Sequence, residues 1–188
     1  GMIQNQTERL SHLSEVLLDM TGIQSVERSD SISLAELADE VCCDLASIAD
    51  QKDVELIQEK GDCTVTGSYL LLYRAVYNLV ENAIKYNHSG GKVTVKISQT
   101  KALSAAHSKP TDYALVEVTD TGIGISPEFQ EKIFDPFFRV DKSRSRAMGG
   151  AGLGLALVNE IARQHGGQVK VLASSEKGST IALILPLS

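Results

Sequence analysis

The sequence predicts an α/β fold, a two-layer sandwich in which a mixed β-sheet is covered on one face by helices. Two observations lead to this prediction. Segments with apolar residues at helical spacing alternate along the chain with segments in which apolar and polar residues take turns. The composition, 43% hydrophobic and 22% charged over 188 residues, is typical of one globular domain with a good core and an appendage.

The appendage is a predicted helix over residues 7–27. Its apolar side chains recur at intervals of three and four, as Leu10, Leu13, Leu17 and Met20. Because so short a helix is marginal alone in water, we expect this seam to pack against a partner helix or, alternatively, against the chain's own domain. Polar residues dominate positions 28–32, which follow this helix. The chain then divides into residues 1–32 and a main domain over residues 33–188.

The main domain is predicted to begin with a helix. Ser33 and Glu36 form a capping-box pattern, and apolar residues follow at helical spacing, namely Leu37, Val41, Leu45 and Ile48. Two short strands are predicted over residues 54–57 and 63–65. Ser68 is the predicted N-cap of a second helix.

The middle of the domain is predicted to contain two strands and a short helix. Apolar and polar residues alternate over residues 93–97 and 116–118, so one face of each strand is predicted to be buried. Residues 99–112 are polar, and we expect a surface loop there. Ser126 follows as a predicted N-cap, with Pro127 at the first position of the short helix.

The last part of the domain is predicted to be a helix and two strands. The helix begins near Leu153 and stops at Gly166. Residues 169–173 and 180–185 complete the sheet.

Four short blocks, taken together, indicate a family. They are Asn78–Asn87, Asp120–Gly124, Phe134–Arg139 and Gly150–Leu155. In order and spacing they resemble the N, G1, F and G2 boxes of the ATP-binding domain of sensor histidine kinases. These domains belong to a wider family with gyrase-type, mismatch-repair and heat-shock chaperone ATPases. The resemblance covers roughly residues 33–187 and implies the Bergerat ATP-binding fold, with ATP and Mg²⁺ as ligands.

The first block places four polar side chains on one helix face, since Asn78, Asn82, Lys85 and Tyr86 lie at i, i+4, i+7 and i+8. Such side chains make a poor core, because burying them unpaired costs several kcal/mol. They face either solvent or a polar ligand with phosphates and a hard cation. The resemblance implies that Asn82 is the magnesium ligand and that Asn78 supports metal and phosphates. It also implies that Lys85 touches phosphate and that Tyr86 lies along the nucleotide.

The second block carries a carboxylate and two glycines at the end of a predicted strand. Asp120 can accept a hydrogen bond from an amino group, while Gly122 and Gly124 let the backbone approach a flat ring. Seen alone, this pattern is also typical of a turn. The resemblance implies that Asp120 reads the exocyclic amine of adenine and that Thr180 lies near the same base.

The last two blocks enclose a basic stretch with one acidic residue, Asp141. Its cations suit a mobile lid over a polyphosphate, although a solvated loop has the same composition; they are Arg139, Lys142, Arg144 and Arg146. Aromatic residues are expected to anchor the base of the lid, namely Phe134, Phe137 and Phe138. A glycine-rich segment then leads into a helix whose free N–H groups favour phosphate. With these segments, the implied nucleotide-binding set is Asn78, Asn82, Lys85, Tyr86, Asp120, Gly122, Gly124, Arg139, Lys142, Gly150, Gly152, Leu153, Gly154 and Thr180.

Several other classes of protein are disfavoured. The net charge of −6 disfavours a nucleic-acid partner. The sequence contains no P-loop motif, and its four histidines form no metal-ligand spacing. Three cysteines form neither a metal motif nor an even disulfide set, so we expect a reducing, cytoplasmic setting. No apolar run approaches the roughly eighteen residues of a membrane helix, so any anchor of the parent protein is expected to lie outside this chain.

The choice between phosphoryl transfer and ATP hydrolysis depends on one position. The ATPase branch of the wider family uses a glutamate as general base where this chain has Asn78, which argues against efficient hydrolysis. Glu81 is near, but it precedes Asn82 by one residue and points about 60° off the required direction. The chain also lacks the sequence pattern of a phosphoacceptor histidine, since His12 is followed by Leu13 and lies beside the apolar seam.

We therefore expect the ATP-binding catalytic domain of a sensor histidine kinase, with the acceptor histidine on a dimerisation helix outside this chain. The resemblance implies that residues 1–32 are the C-terminal part of the second helix of the dimerisation hairpin, with residues 28–32 as the linker to the catalytic domain. It also implies a homodimer through that helix. It further implies contact with the phosphoacceptor helix of the same or the partner subunit and with a response regulator receiver domain. We expect neither nucleic acid nor membrane contact. Two alternatives stay open, a nonenzymatic nucleotide-sensing or scaffold module and an anti-sigma-type serine kinase.

Overall fold

The computed structural model describes residues 27–103, 110–136 and 154–187. All but the last residue of the helix predicted over residues 7–27 lies outside these ranges, as does most of the predicted lid. Within them, no helix combines the length and the apolar character needed to cross a membrane.

The described elements alternate between strands and helices, as predicted. In chain order they are β1 (Asp30–Ser33), α1 (Leu34–Gln51), β2 (Glu55–Gln58), β3 (Thr64–Gly67), α2 (Tyr69–Lys85), β4 (Lys92–Leu103), β5 (Pro110–Asp120), the 3₁₀ turns Pro127–Phe129 and Lys132–Phe134, α3 (Gly154–Gln164), β6 (Gln168–Ser175) and β7 (Gly178–Pro186).

Five strands form one mixed sheet in the order β2-β4-β5-β7-β6. Strand β2 runs parallel to β4, and the other pairs are antiparallel. Alternate side chains of β4 and β5, such as Val95 and Val116, are buried in one core with the apolar sides of α1, α2 and α3. The predicted α/β sandwich with a mixed sheet is therefore confirmed.

Two of the three predicted helix caps make their capping hydrogen bonds. The Ser33 hydroxyl accepts a hydrogen bond from the N–H of Glu36 at 3.3 Å, and α1 begins at the next residue. The Ser68 hydroxyl accepts one from the N–H of Leu71 at 3.3 Å at the start of α2. Each cap satisfies a backbone donor that has no partner within the helix.

The interpretation of residues 28–32 as a linker is wrong for its second half. Strand β1 pairs antiparallel with β3, with Asp30 opposite Gly67 and Ser33 opposite Thr64. Ile32 is 2% exposed and lies in the core. A segment this short shows too few residues for its periodicity to tell a strand from a linker. The strand that it pairs with lies some thirty residues further along the chain and leaves no local signal.

The predicted surface loop over residues 99–112 is also wrong for most of its length. Strands β4 and β5 continue through it as a hairpin, with Gln99 opposite Ala114 and Lys101 opposite Asp112. Backbone hydrogen bonds hold this ladder whatever the side chains are, so polar composition does not exclude a strand. Residues 104–109 lie outside the described ranges.

The short helix predicted after Ser126 consists of two 3₁₀ turns. Pro127 occupies the first position, as predicted, but the Ser126 side chain makes no capping hydrogen bond. Phe134 closes the second turn and is buried, which agrees with its expected anchoring role. Phe137 and Phe138 lie outside the described residues.

His165 joins the end of α3 to the start of α2. Its Nδ1 donates to the carbonyl oxygen of Ile161 at 2.8 Å, and its Nε2 accepts from the N–H of Ser68 at 3.0 Å. Burial lowers its pKa below the ordinary value of 6.5; the bond to Ile161 opposes this shift, and the charge of Arg28 adds to it.

We predict that this histidine makes the domain less stable in weak acid. Because the folded state holds the pKa of His165 below 6.5, the unfolded chain binds the extra proton first. The free energy of unfolding should therefore fall as the pH drops below about 6.5. Urea titrations at pH 7.5 and pH 5.5 measure the loss, which His165→Gln should reduce. His88→Gln, at an exposed histidine, is the control; equal losses in the parent and His165→Gln would contradict the prediction.

Candidate functional site

The polar face predicted on α2 lies at the edge of the core. Asn78, Asn82, Lys85 and the C-cap residue Tyr86 are each partly exposed. The intervening apolar side chains are buried, namely Leu79, Val80, Ala83 and Ile84. The Lys85 ammonium lies 5.8 Å from the centroid of the Tyr86 ring, within cation–π range. This helix therefore presents two amides, a cation and a phenol on its accessible side.

Asp120 is the last residue of β5, and both of its carboxylate oxygens are held. Oδ1 accepts from the N–H of Gly122 at 2.9 Å, and Oδ2 accepts from the hydroxyl of Ser179 at 3.0 Å. Each oxygen of an ionised carboxylate can accept more than one hydrogen bond. The two donors therefore orient the group and leave acceptor capacity for a ligand.

The strand register places Ser179, rather than Thr180, beside Asp120. Ser179 pairs with Asp120, whereas Thr180 pairs with Thr119 and its hydroxyl lies 2.9 Å from that of Thr119. Because successive side chains of a strand point to opposite faces, Thr180 points away from the Asp120 carboxylate. Thr180 is therefore not a hydrogen-bond partner of the Asp120 carboxylate, and its expected place near the adenine stays a prediction. Its neighbour Ser179 was missed, since two adjacent hydroxyls can be told apart only when the pairing register is known.

The glycines after Asp120 are required by backbone packing. A Cβ on Gly122 would lie 2.5 Å from the carbonyl oxygen of Tyr86, closer than any side chain tolerates. Gly124 has φ +74°, and a Cβ there would lie 2.0 Å from the carbonyl oxygen of Ser175. Gly122 therefore lets the turn after Asp120 lie directly on the end of α2.

The start of α3 brings a third predicted block to the same place. A Cβ on Gly154 would lie 3.6 Å from Oδ1 of Asn78, so the first residue of α3 is next to the polar face of α2. The N–H groups at a helix start have no partner within the helix and favour anions. The remaining members of the predicted set lie outside the described residues, namely Arg139, Lys142, Gly150, Gly152 and Leu153.

The chemistry of this site suits magnesium that arrives with a ligand. Within residues 27–103, 110–136 and 154–187, no group of three or more His, Cys, Asp or Glu side chains can hold a metal ion. Asn82 and Asn78 provide neutral amide oxygens, and magnesium prefers oxygen. Two amides form an incomplete coordination set, which phosphate oxygens and water would complete.

Glu81 lies on a different face of α2 from Asn78 and Asn82. Burial raises the pKa of Tyr77, and the negative charges of Glu81 and Asp44 raise it further. Glu81 is thus close to Tyr77, one turn earlier on the helix. This position agrees with the predicted angular offset between Glu81 and the Asn78–Asn82 face.

Comparison with known proteins identifies the family. Residues 67–188 match the family described as histidine kinase-, DNA gyrase B-, and HSP90-like ATPase. SenX3, a sensor-like histidine kinase of Mycobacterium tuberculosis, is 36% identical over 186 residues, covering 96% of this chain and 43% of SenX3. The sensor histidine kinase WalK of Bacillus subtilis is 32% identical, covering 97% of this chain and 29% of WalK. The chain thus spans less than half the length of these relatives.

Solved structures of histidine kinases have the same fold as this chain. The mycobacterial sensor histidine kinase MprB is 29% identical, with a TM-score of 0.66 over 85% of this chain and 97% of the MprB chain. Full-length ShkA in complex with AMPPNP has the same fold, with a TM-score of 0.77 at 24% identity over 95% of this chain. The chain belongs to the histidine kinase-, DNA gyrase B- and HSP90-like ATPase family and, within it, to the ATP-binding domains of sensor histidine kinases.

Proposed function

We propose that this domain binds Mg-ATP between Asp120, α2 and the start of α3 and presents its γ-phosphoryl group to a histidine. The observation that carries the proposal is the Asp120 carboxylate, oriented by Gly122 and Ser179 where its turn lies on the end of α2. A fixed acceptor at one end and a polar helix face beside a helix N-terminus match the two ends of a nucleotide. The AMPPNP complex of ShkA, which has the same fold, is consistent with this ligand.

Each described residue of the site has a proposed role. Asp120 accepts a hydrogen bond from the exocyclic amine of adenine, and Tyr86 lies along the nucleotide. Lys85 contacts phosphate, while Asn82 and Asn78 hold Mg²⁺ through their amide oxygens. When bound, the metal supplies positive charge that neutralises phosphate oxygens. The lid cations Arg139 and Lys142 are proposed to add to this charge.

The residue at position 78 favours phosphoryl transfer to a histidine over hydrolysis of ATP by water. Asn78 is an amide and cannot act as a general base, and Glu81 lies beside Tyr77 instead. His165, half-buried between the start of α2 and the end of α3, uses both ring nitrogens in hydrogen bonds. We therefore propose that the acceptor histidine comes from a dimerisation helix of the same or the partner subunit, before relay to a response regulator receiver domain.

The setting of this domain is proposed to be cytoplasmic. Cys42, Cys43 and Cys63 are free cysteines, which fits a reducing compartment. Residues 1–32 are proposed to contribute part of the second helix of the dimerisation hairpin and its connection to the catalytic domain, whose strand β1 begins within this range at Asp30. We propose that the protein forms a homodimer through that helix.

The first test is a calorimetric titration of Mg-ATP into the chain, repeated with EDTA present. We expect saturable binding that weakens when the metal is removed, because Asn82 and Asn78 bind phosphate through the cation. Incubation with γ-labelled ATP should leave the chain itself unlabelled. Adding a dimerisation hairpin that carries the acceptor histidine should then produce acid-labile phosphohistidine.

Other outcomes of the same test would identify the alternatives. Binding without transfer to any hairpin would support a nucleotide-sensing or scaffold module. Acid-stable phosphoserine on an added partner would support a serine kinase of the anti-sigma type. Absence of Mg-ATP binding at millimolar concentration would reject the proposed site.

A further inference from the structure

Asn87, the residue after the C-cap of α2, lies at a junction of three segments. It is 7% exposed. Its Nδ2 donates to the carbonyl oxygen of Lys92 at 2.9 Å, at the start of β4. Its Oδ1 accepts from the N–H of His88 at 2.9 Å and lies 3.2 Å from the hydroxyl of Thr121, which donates to it. Both ends of the buried amide are therefore paired.

Thr121 makes the matching contacts from the other side. Its hydroxyl accepts from the N–H of Lys92 at 2.9 Å, and its own N–H donates to the carbonyl oxygen of Lys92 at 3.2 Å. Thr121 lies between Asp120 and Gly122 in the turn that holds the carboxylate. Asn87 and Thr121 thus bind the same residue of β4 as well as each other.

This network spans the two halves of the proposed nucleotide site. A Cβ on Gly122 would lie 3.2 Å from the Cα of Asn87, so the turn and the end of α2 are packed backbone to backbone. Among the described residues, no buried side-chain nitrogen or oxygen lacks a hydrogen-bond partner. A fully satisfied buried network specifies one arrangement, because any shift leaves a polar group unpaired.

We propose that Asn87 is a positioning residue that sets the distance between the Asp120 turn and the polar face of α2. The inference rests on the proposed function, since it assigns the adenine to Asp120 and the phosphates to α2. A ligand that bridges two subsites gains affinity when their separation is already correct. Removing the hydrogen bonds of Asn87 should therefore lower the affinity for the whole nucleotide, but not the affinity for a ligand that occupies the Asp120 subsite alone.

The test compares Mg-ATP with adenosine in Asn87→Ala. Calorimetry measures the affinity for Mg-ATP. The amide NMR signal of Gly122, whose N–H donates to Asp120, reports the binding of adenosine at millimolar concentration. We expect affinity for Mg-ATP to fall about tenfold. Adenosine affinity should change less than about twofold, because the carboxylate keeps its bonds to Gly122 and Ser179.

A second variant protects the test against misfolding. Thr121→Val keeps the Asn87 amide and removes the hydroxyl that joins it to the turn, and it should give the same pattern with a smaller loss. Ser89→Ala is the matched control, since the Ser89 hydroxyl donates to Asp53 at 2.7 Å in the neighbouring turn and is not linked to Thr121. It should leave both affinities unchanged.

The outcomes are separable. Equal losses for Mg-ATP and adenosine in Asn87→Ala and Thr121→Val would overturn the positioning role and indicate general damage to the turn. Unchanged Mg-ATP binding in both variants would overturn it as well, while leaving the proposed function in place. If the parent binds adenosine but not Mg-ATP, both proposals fail, because α2 is then not a phosphate subsite.

Discussion

Asp120→Ala should weaken Mg-ATP binding about 10- to 150-fold, the equivalent of losing one hydrogen bond to a charged acceptor. The carboxylate is held by the N–H of Gly122 and the hydroxyl of Ser179, so in the proposed complex it would meet the adenine amine without reorganising. Removing it takes away both the acceptor and its charge. Isothermal titration calorimetry of parent and variant under the same magnesium concentration measures the difference.

Three further variants separate a binding role from a structural one. Asp120→Asn keeps the shape of the side chain but loses its charge. Its affinity for Mg-ATP should lie between those of the parent and Asp120→Ala. Ser179→Ala removes one orienting donor and should weaken binding several-fold. Thr180→Val, on the adjacent residue, should lose less affinity than Ser179→Ala, because that hydroxyl pairs with Thr119 and does not orient the carboxylate. A larger loss in Thr180→Val than in Ser179→Ala would contradict the register-based assignment.

Gly124→Ala should destabilise the fold by about 2–5 kcal/mol, a large share of the stability of a typical domain. Gly124 has φ +74°, and the added Cβ would lie 2.0 Å from the carbonyl oxygen of Ser175. The variant must therefore adopt a strained backbone and also push β6 away from the turn. Urea unfolding followed by circular dichroism measures the loss.

Gly90 offers a matched control for this prediction. Its φ of +84° is similar, yet a Cβ there would meet no heavy atom within 4 Å. Gly90→Ala should therefore cost only the backbone term, about 1–2 kcal/mol. If the two variants lose the same stability, the close approach of Gly124 to Ser175 is not what requires a glycine.

Local patterns were sufficient for much of the fold. Ser33 and Ser68 cap the helices that follow them, as their spacing to the apolar positions predicts. Periodicity located the strands that carry Val95 and Val116, because a half-buried strand and an amphipathic helix repeat at different intervals. The half-exposed face of Asn78 and Asn82 follows from helix geometry alone.

Local sequence patterns did not predict which distant segments pair as strands. Residues 99–112 look like a loop by composition, yet the hairpin ladder runs through most of them. Asp30–Ser33 become a strand only because β3 provides a partner. A strand needs a neighbour to satisfy its backbone, and that neighbour is not encoded in the local sequence.

The composition of the site was thus readable from the amino-acid order, whereas its assembly was not. Helical spacing and the turn after Asp120 are local properties, set by side-chain periodicity and by residues that tolerate unusual backbone conformations. The partner of Asp120 is a matter of register, which selects Ser179 over Thr180. The contact of Asn87 with Thr121 likewise exists only after α2 and β5 have packed, because hydrogen bonds between remote residues depend on the relative placement of whole elements.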